Sequence, residues 1–229
     1  MKIVKDPKIT VNKLGEFLVA PASRQRAILK QIKYPRESKY AVAPYGDVRD
    51  AIKRFFISDF DYSILHNEIR NQKIKLKNTS LSDWSKTIVD SSIESLQKVI
   101  DFNFTCNDLT FKEYTGSNPK VLIHGVEVSI NPDLIVYSSS KVQDYVGAFK
   151  LHVSKNSKSD ENACMYVSSL LHNYATEQFS GSSLRSKHQN SISYDVFKNI
   201  FMESPKSFKR KMDDIEAGCM NIRAIWDSI

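Results

Sequence analysis

From Ser82 onward the apolar residues change their period four times, and that order restricts the fold more than any other feature of the chain. Over Ser82–Ile100 the residues Ile88, Val89, Ile93, Leu96, Val99 and Ile100 form a helical stripe, with Ser82 or Asp83 placed to cap it. From Leu109 the period becomes that of strands. Leu109–Tyr114, Lys120–Ile123, Val126–Ile130, Asp133–Tyr137 and Val146–Val153 are candidate strands, broken at His124–Gly125, Asn131–Pro132 and Ser138–Lys141. Short connections between consecutive strands predict an antiparallel meander. Glu161–Phe179 returns to helical spacing, and Ser191–Met202 reads as one strand or a bent pair. Pro205 opens a last helix, in which Phe208, Met212, Ile215, Cys219, Ile222, Trp226 and Ile229 alternate spacings of four and three. That regularity demands packing, within the subunit or against a partner.

Residues 11–33 read as two short helices interrupted near Ala20–Ser23, and Pro35 and Pro44 punctuate the loop that follows. Asp47–Ile57 and Tyr62–Asn71 are further helices. The predicted organisation is a basic helical region over 1–77 and an α/β core over 78–229. The fold class is α/β, a mixed central sheet flanked by helices with a helical N-terminal lead.

Charge is distributed unevenly. Residues 1–54 hold 13 Lys and Arg against 5 Asp and Glu, whereas the rest holds 20 against 21, so the excess lies in the first quarter. Such a footprint suits phosphates or an acidic partner. No run approaches the roughly 18 apolar residues of a membrane span, and the N-terminus lacks the apolar stretch of a signal peptide, which predicts a cytoplasmic protein. Cys106, Cys164 and Cys219 lie far apart without CxxC spacing and read as small buried hydrophobes. No glycine-rich phosphate loop is present.

The best candidate for chemistry lies between Asp133 and Lys150. Side chains alternate along a strand, so Ala148, Lys150 and His152 share one face, and an antiparallel neighbour starting at Asp133 can bring its carboxylate beside them. A carboxylate and a lysine meeting there can bind a divalent cation and stabilise charge on a phosphate. The order helix, three strands, helix, strand, with Asn-Pro-Asp-Leu-Ile-Val and then Gly-Ala-Phe-Lys-Leu-His, resembles the PD-(D/E)XK nuclease superfamily over roughly residues 82–202. The resemblance implies a restriction-endonuclease-like core and cleavage of DNA with Mg2+ (or Mn2+), as in restriction, repair and antiviral defence nucleases. Asp133 would be the metal ligand, Lys150 the catalytic lysine, and Glu94 an additional acidic residue.

The departure from the motif is Ala148, which stands where the second acid should be. Glu94, Glu127 or Glu161 could complete the metal site in its place. Otherwise the fold would be an inactive adaptor that binds nucleic acid or protein. His152, Lys155, Arg185 and Lys187 are candidates for nucleic-acid contacts. Lys206, Lys209, Arg210 and Lys211 crowd the start of the last helix, where its dipole disfavours cations, which points to a phosphate or acidic partner. The terminal helix is the expected surface for a protein partner or homo-oligomer.

Overall fold

The computed structural model describes residues 3–35, 44–106 and 108–229, so most of the expected loop between Pro35 and Pro44 lies outside the described residues. The first element is a short strand that the sequence pattern did not reveal, β1 (Lys8–Thr10). The Thr10 hydroxyl then caps α1 (Val11–Val19) by accepting from the Lys13 amide. Pro21 precedes α2 (Ala22–Lys33), and α3 (Gly46–Ile57) and α4 (Tyr62–Leu76) follow. Ser82 caps α5 (Asp83–Asp101) through the Ser85 amide.

The strands β2 (Thr110–Glu113), β3 (Lys120–Ile123), β4 (Val126–Ser129), β5 (Leu134–Ser139) and β6 (Asp144–His152) come next. They do not form one meander. β2, β5 and β6 pair antiparallel in the main sheet, whereas β3 and β4 fold out as a hairpin that takes β1 in parallel on its other edge. The hairpin turns at His124–Gly125, both with positive φ (45° and 79°), the backbone a two-residue primed turn requires.

Asp160 caps α6 (Glu161–Gln178), which crosses from β6 to its parallel neighbour β8 (Ile192–Asp195); β7 (Leu184–Ser186) also pairs with β6. The expected bent pair is an antiparallel hairpin of β8 with β9 (Ile200–Glu203). The chain ends in α7 (Phe208–Trp226), which starts after Pro205 and Lys206. The fold is therefore mixed α/β, with parallel and antiparallel strands flanked by helices.

β6 is the central strand and is buried almost throughout, so its two faces feed two cores. Phe149 and Leu151 join Val48, Ile52, Phe55 and Phe56 of α3, Leu65 of α4 and Leu96 of α5. On the opposite face Ala148 joins Leu14 and Phe17 of α1, Leu170 of α6 and Trp226 of α7. Residues before and after position 77 enter both cores, so that position is not a packing boundary. Gly147 lacks a side chain because the Asn190 backbone occupies the place of a Cβ.

The regular stripe of α7 is consumed inside the subunit. Ile215, Cys219, Ile222 and Trp226 are buried in the second core, and the Trp226 indole donates to the Lys5 carbonyl at 2.8 Å. The terminal helix thus packs its apolar stripe within this chain.

Candidate functional site

Asn131 takes a left-handed backbone (φ 40°) and Pro132 follows, turning the chain into β5. The Asp133 amide donates to the Phe149 carbonyl at 2.8 Å, which fixes the start of β5 against β6. That register places the carboxylate on the Lys150 face, as the strand alternation predicts. Lys150 Nζ lies 3.4 Å from Asp133 Oδ2 and donates to the Asn131 carbonyl.

A third charge closes the pair. Arg49 of α3 donates from Nε to Asp133 Oδ1 at 2.7 Å and from Nη2 to Oδ2 at 2.9 Å. The Leu151 amide donates to Oδ2 as well, at 2.8 Å. Asn12 Nδ2 and Arg49 Nη2 both reach the Leu151 carbonyl, at 3.1 and 3.3 Å. The Asp133 and Lys150 side chains are only 8% and 9% exposed, and Arg49, at 35%, covers them. Burial pushes the Asp133 carboxyl up, but Lys150, Arg49 and the Leu151 amide outweigh it and hold the group below its ordinary value. Burial lowers the Lys150 ammonium; Asp133 offsets part of this and Arg49 adds to it.

The polar row continues along the same face of β6. His152 Nδ1 lies 3.3 Å from Asp195 Oδ2 on β8, its register partner, and Nε2 lies 3.7 Å from Glu16 Oε1 of α1. Ser157 donates to Glu16 at 3.1 Å, and Ser159 donates to Asp195. Asp195 also accepts from the Lys198 amide at 3.1 Å. Burial raises the Asp195 carboxyl, yet His152, Ser159 and that amide prevail and hold it low. Glu16, His152 and Asp195 are all buried, Asp195 completely.

These residues do not fit a divalent cation. Both Asp133 oxygens already face N–H donors, whereas a metal needs free lone pairs directed at one point. Glu16 and Asp195 approach opposite nitrogens of one imidazole, so they bracket His152 instead of converging on a shared ion. Ala148 is fully buried in the apolar core with Val167, Leu170 and Leu171 of α6. Among the described residues no three of His, Cys, Asp and Glu gather into a metal-holding group.

The remaining sequence candidates are dispersed. Glu94, on α5, pairs with Lys155 at 2.6 Å. Glu127 lies in the three-stranded sheet and pairs with Lys120 at 2.9 Å, and Glu161 is exposed at the start of α6. His152, expected to meet nucleic acid, is buried at 9% exposure, which keeps it from a surface ligand. Arg185 is exposed on β7, and Lys187 lies 5.2 Å from the Tyr145 ring centre.

Asn12, Glu16, Arg49 and Asp195 were not singled out from sequence. Asn12 and Glu16 are four residues apart on α1, a spacing that puts both on one helix face, but nothing local directs that face at β6. No family model matches the chain, and no curated protein matches it either, so the reading rests on this geometry. The class the fold defines is a mixed α/β protein, with a buried row of carboxylates and cations along its central strand.

Proposed function

We propose that this chain is a nucleic-acid-binding protein on a nuclease-like α/β frame, in which the carboxylate–lysine pair is sealed and serves as a structural ion cluster. The observation that carries the reading is the two-pronged Arg49 grip on Asp133, with Ala148 buried in the core two residues before Lys150. A fixed guanidinium supplies the positive charge that a buried carboxylate needs. The basic excess of the first 54 residues supports an anionic partner.

A second reading, metal-dependent cleavage of DNA, is favoured by one observation, the 3.4 Å approach of Lys150 to Asp133 at the ends of adjacent strands. One experiment separates the two. The protein is incubated with plasmid and linear DNA in magnesium or manganese, and gel shifts are run across a salt series. Salt-sensitive binding without cleavage supports the sealed-site reading. Cleavage by the wild type that disappears in Asp133→Ala and Lys150→Ala overturns it in favour of the nuclease.

A further inference from the structure

The outer face of α4 carries a stripe with unusual charge. His66, Arg70, Lys73 and Lys77 follow spacings of four, three and four, ending at the residue that caps the helix, and all four are exposed. They fall within about 60° of one another around the helix axis and span about 16 Å along it. The inward side bears Leu65, Glu68, Ile69 and Gln72. Glu68 is the sole acid between Tyr62 and Leu76, and it is buried, bonded to Gln72 at 2.6 Å and Asn71 at 3.2 Å.

Surface helices ordinarily interleave acids with lysines at i,i+4, and uncompensated like charges at that spacing cost a few tenths of a kcal/mol per pair. Among the described residues, none of these four cations makes a salt bridge, whereas Lys75, on another face of the same helix, pairs with Asp47 at 2.5 Å. The helix dipole favours Lys73 and Lys77 near the C-terminus, but it does not account for Arg70 or for the missing acids. Asp61 is spent capping the N-terminus of α4 through the Ser63 amide, and Asp47 and Asp50 line with Lys75 and Glu68 a groove of about 620 Å³ between α3 and α4, on the side away from the stripe.

We infer that this face of α4 is the surface that lies along the phosphate backbone of a nucleic acid. Along the duplex axis its span of about 16 Å takes in about five phosphates of one strand, more than the three contacts it needs. Arg70, Lys73 and Lys77 contact phosphates, and His66 extends the row. The partner is recognised by backbone charge rather than base sequence, because long flexible cations without a planar acceptor–donor match carry no base code. The inference rests on the nucleic-acid reading above and adds the place of contact.

The test compares the full chain with two triple variants of equal charge change, Arg70→Glu/Lys73→Glu/Lys77→Glu on α4 and Lys112→Glu/Lys141→Glu/Arg223→Glu at three exposed positions outside that helix. Binding to a labelled duplex is measured across a salt series, and circular dichroism confirms the fold of each. The α4 variant is expected to lose at least tenfold in affinity and to flatten the slope of log K against log salt by about 3, at roughly 0.9 per lost phosphate contact. The second variant should keep most of its affinity and slope. Equal losses in both variants would reduce the effect to net charge and overturn the inference while leaving nucleic-acid binding intact. A wild type that binds no duplex, yet binds polyglutamate through α4, would overturn both readings and make the stripe a site for an acidic protein.

Discussion

Arg49 of α3 holds both carboxylate oxygens of Asp133, at 2.7 and 2.9 Å, and so neutralises the one acid that the sequence places beside Lys150. Removing one partner of a buried pair leaves a charge that water reaches poorly. Arg49→Ala is expected to cost about 2 kcal/mol, below the roughly 3–5 of a fully buried pair because Arg49 is 35% exposed. Urea denaturation reads the loss. Millimolar manganese should leave the wild-type melting temperature unchanged and shift that of Arg49→Ala little, because Oδ2 keeps the Leu151 amide and Lys150 beside it. A wild type stabilised by manganese would contradict a sealed site.

Restoring the acid of the motif should damage the protein rather than activate it. Ala148 is fully buried and shares an apolar cluster with Val167, Leu170 and Leu171 of α6. A carboxylate there would have to shed its water or push α6 away. Ala148→Glu is expected to lose more than about 3 kcal/mol or to fail to fold, whereas Ala148→Ser, smaller and able to bond the backbone, loses less. A stable, DNA-cleaving Ala148→Glu protein would show that this face opens to substrate.

The order of elements after Ser82 was legible because each helix and strand carries its own period, and the Asp133–Lys150 meeting was legible because β5 and β6 are joined by a short turn. What escaped were the partners brought from a distance. Arg49 is 84 residues from Asp133, and Asn12 is 139 from Leu151, so no local pattern links them. β1 escaped for another reason: three residues running straight into α1 give too little alternation to register. The antiparallel meander was over-extended because β3 and β4 alternate as the main-sheet strands do, and period alone does not say which sheet a strand joins.

His152 couples two carboxylates from different elements, and that coupling is measurable. Asp195→Ala leaves His152, Ser159 and the Lys198 amide without their acceptor in a buried site, for a cost of about 3–5 kcal/mol. Glu16→Gln keeps the Ser157 bond and should cost about 1 kcal/mol. A double-mutant cycle joining Glu16→Gln to Asp195→Asn should give a coupling above about 0.5 kcal/mol, since both acids act on one ring. Additive losses would mean that the two acids are independent of His152.

A second histidine predicts how stability changes with pH. His172 of α6 is 6% exposed, its Nδ1 has no hydrogen-bond partner, and the Phe208 ring meets it edge-on with centroids 4.5 Å apart. Burial, with His188 nearby, lowers its pKa from 6.5 to about 4. Above pH 6.5 the ring is neutral in folded and unfolded chains alike, so it has no effect there. Between that value and about 4 the unfolded chain takes up a proton that the folded chain refuses, so stability falls as pH falls. The loss at pH 5 is on the order of 2 kcal/mol from this residue alone. His172→Leu removes the titrating group and keeps the apolar contact with Phe208, so the difference in urea midpoint between pH 7 and pH 5 should shrink by about that amount. An unchanged difference would mean that His172 takes its proton without unfolding.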